Sequence, residues 1–268
     1  MIRELMKNAG GSGRPVLLGY LPSLFPGEEE YTRILDVCAR RGLGLLEIGV
    51  PTADPYLDGE VIRGALSGLW SPFREERRRR FLLSLAPLKE RGIHGVAMIY
   101  HETLEDWGLE NFLGDCASRG LEGILVPNIP MDKRSRLFSA ATEAGIQVVN
   151  FIGTDMSPEA IRETAALTSG FLYFQSTRGT TGGRFVPDRE TALRLETVRR
   201  AGEERGLPVA MGFGISTPES AGQAAELGPD GIIVGTAFVK AAGKGAEFMD
   251  GFLAGFEPFL KKETPCRN

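Results

Sequence analysis

Two carboxylates and three glycine-rich turns are the parts of this 268-residue sequence with chemistry to offer. Glu47 lies in the run Leu45-Leu46-Glu47-Ile48-Gly49-Val50. Strand alternation puts Leu46, Ile48 and Val50 on one face and Leu45, Glu47 and Gly49 on the other. If the first face packs on helices, Glu47 points into a barrel mouth, and Gly49 beside it leaves room for a ligand. Burial without a cation raises a carboxyl pKa, so such a group still holds a proton to donate at neutral pH. The bland alternative is a structural carboxylate bonded to a neighbouring strand, but no neighbouring run offers an obvious histidine or lysine. Asp58 follows in Asp54-Pro55-Tyr56-Leu57-Asp58-Gly59. It is either a second catalytic carboxylate or the N-cap of the next helix, and spacing leaves both readings open. Asp54-Pro55 reads as a turn initiator.

The glycine turns lie at the other end of the chain. Gly179-Thr180-Thr181-Gly182-Gly183, Gly212-Phe213-Gly214-Ile215-Ser216 and Gly235-Thr236-Ala237 each follow an apolar β-type run. The last opens a short apolar helical stretch over 237–242. One such turn is only a turn. Three at adjacent strand ends, with backbone N–H groups exposed near a helix start, predict a phosphate site.

The elements that must position these groups are legible as an alternation. Apolar runs over 16–20, 45–50, 95–100, 123–126, 146–151, 170–174, 208–211 and 231–234 are separated by amphipathic stretches. Those cover 28–41, 60–70 with 74–91, 105–119, 132–144, 158–167, 187–205 and 218–226, and a last one runs over 245–262. Strands apolar throughout belong to a sheet buried on both faces. Eight such runs with their helices predict an α/β fold, a (β/α)8 TIM barrel over 1–268 as one domain. A short N-terminal helix and a short phosphate-site helix after strand eight complete it. A doubly wound open sheet is the runner-up, since periodicity alone cannot close a barrel. Pro158, Pro187 and Pro218 stand at or near first helical turns. Gly42, Gly92, Gly120, Gly145 and Gly206 mark helix ends.

Composition narrows the function class. With 31 Lys+Arg against 35 Asp+Glu, the net charge of -4 argues against nucleic-acid binding. The run Arg74-Glu75-Glu76-Arg77-Arg78-Arg79-Arg80 reads as a solvated helix face with Glu75/Arg79 and Glu76/Arg80 pairs. No run reaches the length of a membrane span, and the start lacks a secretory signal's apolar region. Cys38, Cys116 and Cys266 read as thiols of a cytoplasmic protein, and His94 and His101 show no metal spacing. No metal and no cofactor are expected in this chain.

These segments together resemble the tryptophan synthase α subunit family. The resemblance is carried by Leu46-Glu47-Ile48-Gly49-Val50-Pro51 with Asp54-Pro55-Tyr56-Leu57-Asp58-Gly59, and by 171–176 with 179–182. Gly212 to Pro218 and Val234 to Lys240 extend it. It implies cleavage of indole-3-glycerol phosphate to indole and glyceraldehyde 3-phosphate. By motif, Glu47 is then the acid/base and Asp58 accepts the indole N–H and stabilises the indolenine cation. Tyr20, Tyr100, Tyr173, Thr181 and Phe213 line the substrate, and Gly182, Gly214, Gly235 and Thr236 hold its phosphate. Asp54 and Pro55 face a β subunit in an α2β2-type complex, and pyridoxal phosphate belongs to that partner.

The departures from the family pattern cluster in loops. The first strand runs into a longer loop ending at Pro26, and Glu60-Val61-Ile62-Arg63 replaces proline-threonine-isoleucine-glutamine. His101-Glu102 follows Tyr100 where asparagine is usual at the second position. Pro127-Asn128-Ile129-Pro130 replaces alanine-aspartate-valine-proline, and Thr177 stands for an arginine. Such a rim predicts altered binding of a β subunit. It also leaves open a paralogue acting outside tryptophan synthesis, or a non-catalytic phosphate-ligand binder that activates a β-like partner. Retention of both carboxylates weighs against the binder.

Overall fold

Alternation along each strand divides the apolar side chains between two layers. The computed structural model describes residues 2–10, 14–176 and 187–260. Eight parallel strands close in sequence order: β1 (Val16–Pro22), β2 (Leu45–Gly49), β3 (His94–Met98), β4 (Gly123–Leu125), β5 (Gln147–Ile152), β6 (Leu172–Gln175), β7 (Val209–Gly212) and β8 (Gly231–Val234). The barrel is therefore closed and the open-sheet alternative falls. Leu46, Ile48 and Val50 pack with the helices, whereas Leu45, Val96, Leu125 and Ile233 fill the interior. Glu47 takes the interior face, in register with Tyr20 on β1 and Val96 on β3.

The floor of the barrel is plugged by α1 (Ile2–Gly10). Ile2 and Met6 are fully buried in the interior cluster. Gly123 and Gly231, at the first positions of β4 and β8, make room for them: an added Cβ would sit 2.9 Å from Ile2 and 2.6 Å from Met6. Arg3 ties the plug down by donating to Gly206 O at 2.9 Å and Arg205 O at 2.8 Å.

The outer helices are α2 (Glu28–Arg40), α3 (Glu60–Leu69), α4 (Arg74–Glu90), α5 (His101–Trp107), α6 (Leu109–Ser118), α7 (Arg134–Glu143), α8 (Pro158–Ala166), α9 (Arg189–Glu203), α10 (Pro218–Glu226), α11 (Thr236–Ala242) and α12 (Ala246–Gly255). Ser157 caps α8, and Thr217 forms a capping box with Ser220 on α10. The five glycines expected to end helices have φ between 61° and 81°.

Four expectations are corrected. The stretch 105–119 is two helices, because Gly108 at φ 87° ends α5 and starts α6. The stretch 187–205 starts as a helix only at Arg189, because Asp188, just after Pro187, caps α9. The last helix stops at Gly255, and Glu257–Phe259 continues as a 3-10 turn. The arginine run is no simple solvated face. Arg77 is buried against Trp70 and pairs with Asp106 of α5, while Arg78 grips Asp115 of α6 at 2.7 and 2.8 Å. Glu76 accepts from Ser71 Oγ at 2.6 Å instead of pairing with Arg80. Arg80 donates to Leu69 O at 3.3 Å, and Glu75 meets Arg78 at 3.7 Å, so neither expected pair forms.

Candidate active site

Glu47 ends up at the barrel mouth because strand parity leaves it no other face. It is 4% exposed, and its Oε1 has no hydrogen-bond partner. Burial, with the nearby negative charge of Asp58 adding to it, pushes its pKa up to about 8. Tyr20 stands across from it with an unpartnered buried hydroxyl. Gly49 has a different task from the one expected. A Cβ there would collide with the Tyr20 hydroxyl, so the glycine makes room for the tyrosine that faces the ligand space.

Asp58 is not the cap of α3. Gly59 holds the N-cap position, and no side chain caps that helix. The Asp58 carboxylate turns inward and accepts from the Tyr100 hydroxyl at 2.8 Å. Its backbone closes a turn, with N–H donating to Pro55 O at 3.0 Å. Burial raises its pKa to about 6, and the Tyr100 bond and the Arg63 charge hold it from rising further. At neutral pH the arrangement therefore keeps one proton on Glu47 and a negative charge on Asp58.

Glu47, Asp58, Tyr20, Tyr100, Tyr173 and Phe213 line one cavity of about 320 Å³, large enough for a small ligand. Its far wall is aromatic. Phe151 and Tyr173 have centroids 4.4 Å apart, and Phe213 meets Tyr173 edge-on at 5.9 Å. That wall suits a flat apolar ring.

A second cavity of about 230 Å³ adjoins the first through Tyr173, Phe213 and Gly235, and is lined by Gly214, Ser216, Thr236 and Lys240. Phe213 and Gly214 both adopt positive φ, 74° and 79°. The strained phenylalanine is held by Ser176, whose Oγ lies 2.7 Å from Gly212 O and 2.8 Å from Phe213 O. Among the described residues, an added Cβ on Gly235 would meet only Ile62 Cδ1, at 3.8 Å, so the glycine keeps this groove open. Thr236 Oγ1 is buried without a partner. The groove thus offers a free hydroxyl, glycine-bared backbone and an ammonium group to an anion.

Thr181 and Gly182 lie outside the described residues, as do Thr177 and Cys266. Asp54 is exposed on the loop, but Pro55 is buried and serves the turn through its carbonyl. Sequence reasoning assigned no role to Ser176, Phe151 or Lys240. Lys240 had a readable signal, since it falls one helical turn after Thr236 and shares its face. Phe151 had one too, as the residue paired with Tyr173 across β5 and β6. Cys38 and Cys116 are buried thiols, and among the described residues no cluster of metal-binding side chains is found.

A closed barrel with two buried carboxyls at its mouth, beside a groove of groups suited to an anion after strands seven and eight, has the layout of a TIM-barrel enzyme. A family model described as tryptophan synthase alpha chain matches residues 6–257. The chain belongs to that family. Tryptophan synthase alpha chains of Methanopyrus kandleri and Solidesulfovibrio magneticus are 31% and 33% identical to it, covering 90% and 89% of this chain and 85% and 92% of theirs. Mycobacterium tuberculosis tryptophan synthase aligns with TM-score 0.86 at 25% identity, over 97% of this chain and 98% of that one. A mutant alpha-subunit from Pyrococcus furiosus aligns with TM-score 0.78 at 26% identity, over 92% and 97%.

Proposed function

We infer that this chain is a lyase that cleaves indole-3-glycerol phosphate to indole and glyceraldehyde 3-phosphate. The observation that carries the reading is the buried, unpartnered Glu47 carboxyl facing an aromatic-walled cavity that opens into an anion groove. Family membership supplies the substrate.

The residues divide the reaction as follows. Protonated Glu47 gives its proton to indole C3, forming the indolenine cation. Ionised Asp58 accepts the ring N–H and balances that positive charge. The Glu47 carboxylate then takes the proton of the adjacent glycerol hydroxyl as the carbon–carbon bond breaks. The bond's electrons return to the ring, the hydroxyl carbon becomes an aldehyde, and Glu47 is protonated again. Phe151, Tyr173 and Phe213 hold the ring, while Gly214, Gly235, Thr236 and Lys240 receive the phosphate. Thr181 and Gly182 are assigned to the same substrate by motif alone. The scheme asks no metal or cofactor of this chain.

A β subunit, carrying pyridoxal phosphate, is the proposed acceptor of indole, and Asp54, exposed on the loop after β2, is assigned by motif to meet it. We place the protein in the cytoplasm, as one barrel domain over 1–268. Among the described residues no helix is long and apolar enough to cross a membrane. The deciding experiment incubates the purified chain with indole-3-glycerol phosphate and measures indole. Binding of the substrate with no indole released would return the chain to a ligand-binding role.

A further inference from the structure

The loop that carries Asp58 has no helix or strand between Gly49 and Glu60, and it exposes Tyr56 and Leu57. Segments of this kind belong to the mobile end of a protein's stability range unless something ties them down. One tie is at the near end, where Thr103 Oγ1 donates to Thr52 Oγ1 at 2.8 Å. A second is the Tyr100 hydroxyl, bonded to Leu57 and Asp58, and a third is an amide from a different loop.

Asn128, in the loop after β4, uses its whole side-chain amide. Its Nδ2 donates to the Tyr56 hydroxyl at 2.8 Å and to Glu102 Oε2 at 2.8 Å. Its Oδ1 accepts the His101 N–H at 2.7 Å. A backbone donor on one side and a carboxylate on the other leave only one orientation for the amide. Tyr56 packs edge-on against Tyr100, with centroids 5.5 Å apart. The Tyr100 hydroxyl donates to Asp58 and accepts the Leu57 N–H at 3.2 Å. Contacts therefore run unbroken from Asn128 through Tyr56 and Tyr100 to Asp58. Asn128 itself lines neither cavity.

We propose that Asn128 is a positioning residue: its amide latches Tyr56, and so the Asp58 carboxylate, at the mouth of the barrel using groups of this chain alone. The proposal rests on the reading of Asp58 as the partner of the indole N–H. Two of the latch residues, Glu102 and Asn128, are positions where the sequence departs from its family's pattern. These two changes thus meet in one device that joins the loops after β2 and β4 to the start of α5.

Asn128→Asp tests it with almost no change of shape. The variant keeps the acceptor for His101 N–H, loses both donors, and sets a second carboxylate against Glu102. Adding Glu102→Gln returns a donor to that contact and removes the repulsion, so the carboxylate at 128 stays seated and the Tyr56 hydroxyl turns to donate to it. Two quantities are measured on the full chain: steady-state indole release, and hydrogen exchange of amides 50–59 by mass spectrometry. Asn128→Asp should lower kcat on the order of 10- to 100-fold, as a misplaced catalytic group does, with KM nearly unchanged because the phosphate is held elsewhere. Exchange over 50–59 should quicken, and the double variant should recover both. Faster exchange with unaltered kcat overturns the positioning role, and unaltered exchange overturns the latch. A loss of kcat that the double variant fails to recover also overturns it. If the wild-type chain releases no indole, the functional reading fails, while the exchange comparison still decides the latch.

Discussion

Two glutamates on opposite ends of the barrel show what turns a carboxyl into a reagent. Glu122 precedes β4 at the plugged floor and meets His94 Nδ1 at 2.5 Å. That hydrogen bond pulls its pKa below the ordinary value. Glu47, on β2 at the mouth, has an oxygen with no partner, and its pKa rises to about 8. The floor glutamate is about a quarter exposed and is paired, while the mouth glutamate is almost fully buried and faces a cavity. Pairing makes a structural charge. Desolvation beside an open space makes an acid.

The widest gap between the two should appear in turnover. Glu47→Gln keeps the shape and removes the proton, so kcat should fall by roughly 10²–10⁴, with substrate still bound. Glu122→Gln should leave indole release unchanged. Equal losses in the two variants would erase the distinction drawn between them.

Asp58→Asn probes the ionised half of the site. An amide cannot balance the indolenine cation, and the expected loss in kcat is on the order of 10²–10³. Near-wild-type turnover would leave Asp58 with a purely local role. The pair also sets a pH window. Activity should need Asp58 ionised and Glu47 protonated, giving a bell whose limbs fall near about 6 and about 8 in kcat/KM. A flat profile across that interval would separate the carboxyls from the chemistry.

The anion groove sharpens the contrast from the ligand side. Gly235→Asp adds a Cβ where the fold leaves space and a charge where phosphate is to sit. KM should rise roughly 10- to 100-fold with the melting temperature nearly unchanged. Gly214 is the poorer probe, because its φ of 79° strains any other residue. Unchanged affinity in the Gly235 variant would move the phosphate elsewhere.

Stability should show the smallest effects, with opposite signs. Native Glu47 keeps a proton that the unfolded chain releases from about pH 4.5 upward, so its contribution to stability falls across the interval to about 8. Glu47→Gln should therefore stabilise the protein by about 1–3 kcal/mol above that window, and by less below it. Glu122 has a lowered pKa, so it stabilises above the ordinary glutamate range and loses this as pH falls through the lowered value. Its replacement by Gln should cost about 0.5–1 kcal/mol at neutral pH, as expected of a part-exposed pair. Denaturant unfolding at three pH values checks both signs.

Much of the fold was legible because it is written in local repeats. Runs apolar throughout announced the strands, and strand alternation gave Glu47 its inward face. Glycines after helical stretches announced the helix ends. The carboxylate pair and two of the glycine turns were legible from residue type and from their place after a strand. The Gly49 reading failed because the residue filling its space, Tyr20, comes from the neighbouring strand. The expected i,i+4 pairs of the arginine run failed because Ser71 and the Leu69 carbonyl, from the segment before the helix, take Glu76 and Arg80, and Glu75 meets Arg78 instead.

What the sequence by itself determined, then, is the barrel's alternation, the side of the sheet each residue faces, and which residue types reach the mouth. These follow from backbone periodicity and near neighbours, which act before distant segments meet. Tertiary structure alone decided the partners. Tyr100 reaches Asp58 and Asn128 reaches Tyr56 only once the strands have closed into a barrel, because their contacts join loops far apart along the chain. That closure decides which carboxyl finds a partner and which is left buried beside an empty space, and with it which one can move a proton.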